Sequence, residues 1–181
     1  DGADPDMLLR HAQKAMYQAK QAGRNRYALF DAEHDRLSEL RRDSLESIQR
    51  AISDNQLQLV YQPKVNMRSG EVLGMEALIR WQHPQRGLLD PAEFLPMVDF
   101  VGLHRQVGNW VLETALTQAE AWASAGRPLA IGINVAAEQL QGAGFAEGLR
   151  DALARHPRLP PALVELEILE TAALNDLDKV A

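Results

Sequence analysis

Apolar and polar positions alternate along this chain in two distinct rhythms. Over Asp4–Gln21, Leu8, Ala12, Ala15, Met16 and Ala19 recur at helical spacing. Asp4 suits the cap, Pro5 the first turn, and Gly23 the far end. Arg26–Phe30, RYALF, reads as a short strand, and Leu37–Ile52 as a second amphipathic helix on Leu37, Leu40, Leu45, Ile48 and Ile52. Beyond Leu57 the rhythm changes. Leu57–Gln62 predicts a strand stopped by Pro63, Asn66–Glu71 a turn around Ser69-Gly70, and Val72–Trp81 a second strand. The loop HPQRGLLDP ends in Asp90-Pro91, a helix-start pair. Helices follow over Pro91–Phe100, stopping near Gly102, and over Leu103–Ala125, stopped by Gly126 and Pro128. Leu129–Val135 is an apolar strand, Glu138–Arg155 a helix weakened by glycines, and Leu163–Leu169 a fourth strand.

An antiparallel entry followed by strand–helix–strand–helix units predicts an α/β fold with a largely parallel sheet. The later strands are near-continuously apolar, as strands covered on both faces should be. A (β/α)₈ barrel takes eight strands and about 250 residues, so the expectation is about half of such a barrel behind an N-terminal extension. The polar stretch Asp31–Arg36 marks the expected boundary, and the absence of a starting methionine reads as a piece of something longer.

Composition narrows the chemistry. The 181 residues are 46% hydrophobic and 24% charged, with a net charge of −6. That balance argues against a nucleic-acid polymer as partner, though a local arginine or metal ion still permits a small anionic ligand. Without cysteine there is no disulfide, zinc thiolate or thiol nucleophile. No apolar run approaches the roughly 18 residues of a membrane span, and DGADPDMLLR lacks the basic start and apolar core of a signal peptide. The expectation is a cytoplasmic segment, with membrane tethering of the parent through upstream domains left open.

The candidate site lies in the strands. Glu76 interrupts an apolar run, which is costly unless a cation or hydrogen bonds compensate. Asn134 and Glu167 lie near the ends of two later strands, where a barrel gathers its active site. Two carboxylates and an amide oxygen suit Mg²⁺, Mn²⁺ or Ca²⁺. Arg80, four residues after Glu76, shares its strand face and could clamp a phosphate; a buried ion pair between Arg80 and a glutamate is the alternative. Glu165 reads as solvent-facing and Glu170 as the start of the next loop. His83 is assigned a role in shaping its loop. His11, His34, His104 and His156 are assigned to the surface, and Trp81, Trp110 and Trp122 to packing.

YQPKVNMRSGEVLGMEALIRWQHPQRGLLDPAEFLP resembles the opening of an EAL domain, the cyclic di-GMP phosphodiesterase family, and GINVAAEQL and LVELEILET resemble its next two motifs in order. The first 32 residues resemble the C-terminal end of a GGDEF domain, the diguanylate cyclase family, without the cyclase signature. The resemblance implies residues 1–32 as that remnant, 33–56 as a linker and first helix, and 57–181 as the first half of a modified TIM barrel. For the parent protein it implies hydrolysis of cyclic di-GMP to linear pGpG with Mg²⁺ or Mn²⁺, the present segment alone being incomplete, and a homodimer formed through EAL domains. It implies Glu76, Asn134 and Glu167 as metal ligands, and Glu76 and Glu170 as catalytic, Glu170 supporting a loop near the metals. Gln62 and Arg80 would contact the dinucleotide. A receptor that binds without cutting, or a dimerisation module, is the alternative. Ala136, Leu169 and Asp99 replace a serine, a threonine and a glutamate usual in the family. The family's paired aspartates, its lysine and its later glutamate and glutamine have no counterpart in this sequence.

Overall fold

The computed structural model describes residues 4–21, 23–142 and 144–168. The chain forms two compact units that divide at Asp43/Ser44. In the first, helix α1 (Pro5–Gln21) is tied to the start of helix α2 (Ala32–Ser53) by Lys14, whose Nζ donates to Asp35 Oδ2 at 2.6 Å and Glu39 Oε1 at 2.8 Å. His11 stacks on Phe30 with ring centroids 3.7 Å apart. The apolar residues Leu8, Leu9, Met16, Tyr17, Tyr27 and Leu29 stay exposed. Arg26–Phe30 is not a strand: residues 27–30 run as irregular chain with no ladder partner. The polar stretch after it is helical, because Asp31 Oδ1 accepts the backbone N–H of Glu33 (2.9 Å) and His34 (3.1 Å) and so caps α2.

The second unit is built on one mixed sheet. Strand β1 (Leu57–Val65) pairs antiparallel with β2 (Val72–His83), which also pairs with the short β3 (Gly87–Leu89). β2 then pairs in parallel with β4 (Ala130–Val135), and β4 with β5 (Val164–Ile168). Pro63 does not stop β1, which runs two residues further, because in the described sheet β1 is an edge strand and lacks a partner on one side. The turn between β1 and β2 is closed by Asn66, whose Oδ1 accepts the N–H of Arg68 at 2.9 Å, and by Gly70 at φ 73°.

The crossover from β2 to β4 carries helices α3 (Pro91–Val101) and α4 (His104–Ser124). The predicted helix over Glu138–Arg155 is two helices, α5 (Ala137–Leu140) and α6 (Phe145–Ala154), since Gly142 and Gly144 interrupt it and Gly144 sits at φ 88°. The core holds Ile48, Trp81, Phe94, Val98, Leu116, Ile131 and Ile133. The odd-numbered residues of β2 and β4 (Ala77, Trp81, Ile131, Ile133) join it, packed among side chains of α2, α3, α4 and α6. The even-numbered residues occupy the opposite face of the sheet, and the candidate chemistry sits there.

Candidate active site

Strand register places the site. Gln62 lies across from Glu76, Glu76 is level with Gly132, and Gly132 with Glu165. One step further toward the C-terminal ends of the parallel strands, Asn134 is level with Glu167. Residues in register share a face. Gln62 and Lys64 of β1, Glu76 and Arg80 of β2, Asn134 of β4 and Glu165 and Glu167 of β5 therefore all project from one side.

Glu76 and Asn134 meet directly: Asn134 Nδ2 donates to Glu76 Oε1 at 2.8 Å. Both are half-buried. The bond compensates the carboxylate that the apolar run encloses. Arg80 pairs through Nε with Asp90 Oδ1 at 2.9 Å, not with a glutamate, and its Nη1 donates to the backbone oxygen of Ile79 at 2.8 Å. Asp90 leads into α3 as expected, and its own N–H is accepted by Glu93 Oε2 at 3.0 Å. Its carboxylate is turned to Arg80.

Lys64 escaped the sequence reading. Glu165 is exposed as expected, and it also forms an ion pair with Lys64 Nζ, which donates to Glu167 Oε1 at 3.1 Å. Hydrogen bonds to Glu165, and secondarily Glu167, hold the Lys64 ammonium above the usual lysine range. The signal was present, since Lys64 follows Gln62 by two residues and so shares its face; ending the strand at Pro63 concealed it. Glu170 lies outside the described residues. His83 shapes its turn as expected, its Nδ1 accepting the N–H groups of Gln85 (3.2 Å) and Arg86 (3.3 Å). His156 is not a surface histidine. It is 7% exposed, with Nδ1 3.0 Å from Glu120 Oε2 and Nε2 3.4 Å from Glu113 Oε1.

The donors Glu76, Asn134 and Glu167 are oxygens alone, which fits a hard divalent cation. Among the described residues no three His, Cys, Asp or Glu side chains converge closely enough to hold an ion. Asn134, whose amide also carries an oxygen, stands beside Glu76 on this face.

Residues 45–181 match the EAL domain family. The chain belongs to that family. Glu76-Ala77-Leu78 on β2 is the tripeptide that gives the EAL family its name. Among curated relatives, the chain is 39% identical over 179 residues to the bifunctional diguanylate cyclase/cyclic di-GMP phosphodiesterase MucR of Pseudomonas aeruginosa, covering 98% of this chain and 26% of that protein. It is 36% identical over 154 residues to the cyclic di-GMP phosphodiesterase PdeR of Escherichia coli, covering 84% of this chain and 23% of PdeR. The chain thus spans about a quarter of these relatives' length. Among solved EAL structures, a MucR phosphodiesterase in complex with c-di-GMP superposes with a TM-score of 0.70 at 41% identity, over 75% of this chain and 55% of that one. The FimX EAL domain of Pseudomonas aeruginosa, bound to c-di-GMP, gives 0.66 at 27% identity, over 76% and 54%. The fold is the α/β, TIM-barrel-like fold of EAL domains, present in part. Among the described residues no helix is long and apolar enough to cross a membrane.

Proposed function

We propose that this chain supplies the ligand-bearing strands of a metal-dependent phosphodiesterase that hydrolyses cyclic di-GMP to linear pGpG. The observation that carries the reading is the pairing of Asn134 with Glu76 at 2.8 Å, with Glu167 level with Asn134 on the next strand. Glu76, Asn134 and Glu167 would hold Mg²⁺ or Mn²⁺. Such a cation, when bound, activates water and offsets charge on the phosphate. Arg80, fixed by Asp90, keeps part of its guanidinium fork for a phosphate oxygen. Gln62, across the ladder from Glu76, would contact the dinucleotide, and Glu170 would support the loop beside the ligands. Relatives named as cyclic di-GMP phosphodiesterases, and EAL structures holding c-di-GMP, support the substrate.

Residues 1–32 are, in this reading, the end of a GGDEF domain. Support comes from the MucR match, which extends over 98% of the chain and so into the first unit. The protein would work in the cytoplasm as a homodimer formed through its EAL domains.

The test is to incubate the full-length protein with cyclic di-GMP and Mg²⁺ or Mn²⁺ and to separate the products by chromatography. The expected result is pGpG that disappears in Glu76→Gln. Binding of cyclic di-GMP without any turnover would replace the enzyme with a receptor.

A further inference from the structure

We propose that Lys64 is a positioning residue of this site, fixing Glu167 on their shared face from the N-terminal end of the parallel strands. The inference rests on the metal-ligand reading above. Lys64 sits on β1, one rung below Glu76: it is opposite Gly74, which is level with Ala130. Its ammonium nevertheless reaches β5, two strands beyond β2, to donate to Glu165 and to Glu167 Oε1.

A lane of small residues permits that reach. Gly74, Ala130 and Gly132 lie on the same face between Lys64 and the glutamates. A Cβ on Gly132 would collide with Glu167 Oε1 and stand 3.0 Å from Lys64 Nζ. Gly132 is thus required for this cluster, not for its backbone conformation. A Cβ on Gly74 would meet the Ala130 carbonyl oxygen at 2.7 Å, so that glycine keeps β2 and β4 close.

The electrostatics follow. Glu165 and Glu167 are two apart on one strand and share a face, so their like charges repel. One ammonium between them removes that repulsion. It also anchors Oε1 of Glu167, while Oε2 makes no hydrogen bond among the described residues. A carboxylate tethered by one oxygen presents the other in a fixed direction, which is how outer partners orient metal ligands.

The test measures Mn²⁺ affinity by electron paramagnetic resonance on the full-length protein, without substrate, for the unaltered form, Lys64→Met, Lys64→Arg and Gly132→Ala. Circular dichroism checks the fold of each. Loss of an outer partner typically weakens metal binding about 10–100-fold. Lys64→Met and Gly132→Ala should each fall in that range, Lys64→Arg should retain most of the affinity, and hydrolysis by Lys64→Met should recover at high Mn²⁺. A merely structural ion pair would lower thermal stability and leave Mn²⁺ affinity unchanged. Equal or tighter Mn²⁺ binding in Lys64→Met overturns the inference while the metal site stands. Absence of Mn²⁺ binding by the unaltered protein overturns the metal reading and this inference together. If Lys64→Met fails to fold, Gly132→Ala decides, and unchanged affinity there overturns the proposal.

Discussion

At Asn134 one amide would serve two neighbours: its nitrogen donates to Glu76, and its oxygen is, in the proposed function, the atom offered to a cation. Glu76→Gln can keep an oxygen for that hydrogen bond while losing the charge that a divalent ion needs. It should therefore lower pGpG formation at least 100-fold with little change in melting temperature, as read by chromatography and calorimetry. Away from the site, the hydrogen bond from Arg155 holds the Glu113 carboxyl below the usual value of 4.5, and the backbone N–H of Arg158 does the same for Glu120. Both groups release protons more readily folded than unfolded. Their contribution is complete above about pH 4.5 and is lost as pH falls through the lower folded values. The melting temperature should drop on acidification below that point, and the double variant Glu113→Gln/Glu120→Gln should flatten the drop; an unchanged slope would remove these carboxylates from the acid response. Single residues were legible where chemistry clashed with pattern. Glu76, Asn134 and Glu167 stood out as oxygens in apolar runs. His156 did not, because its partners Glu113 and Glu120 are 43 and 36 residues away in sequence and only the packing of α4 brings them to it.

Elements were legible where both caps and periodicity agreed. Helix α3 was bounded from sequence to within a residue at each end, since Asp90-Pro91 starts it and Gly102 stops it. Its C-cap is the left-handed conformation, φ 73°, and a Cβ there would meet nothing within 4 Å. Gly102→Ala should thus cost about 1–2 kcal/mol from backbone strain alone. Urea denaturation measures it, and a neutral result would mean the cap relaxes. Boundaries failed where a local rule lost to context. Proline ends a central strand but not an edge strand, so β1 continued through Pro63 and carried Lys64 into the site. The polar run after Phe30 has no apolar periodicity, yet it is helical because Asp31 caps it. The three residues of β3 offered too short a pattern to separate from loop.

For the molecule as a whole, the order of periods along the chain was enough to give a mixed sheet with parallel crossovers, because a parallel pair needs a long connection and the helices supply it. What sequence order could not give is which side chains converge on one point of the core. Trp81 is such a point. It is 1% exposed, lies edge-on to Phe94 of α3 at 5.7 Å and near His83 at 4.9 Å, and its Nε1 donates to Gln56 Oε1 at 3.1 Å in the connection between α2 and β1. One residue after Arg80, it faces the other side of β2, so the strand that presents Arg80 to the site is seated through Trp81. Trp81→Ala should cost about 3–5 kcal/mol, the usual loss for a buried aromatic. That is a large share of the roughly 5–15 kcal/mol that holds a domain together. Trp81→Phe keeps most of the ring, loses the bond to Gln56 and should cost less than half as much. Urea denaturation reads both. If the seat matters to the site, Trp81→Phe should bind cyclic di-GMP more weakly while remaining folded, whereas a defect confined to the core would leave its affinity at that of the unaltered protein.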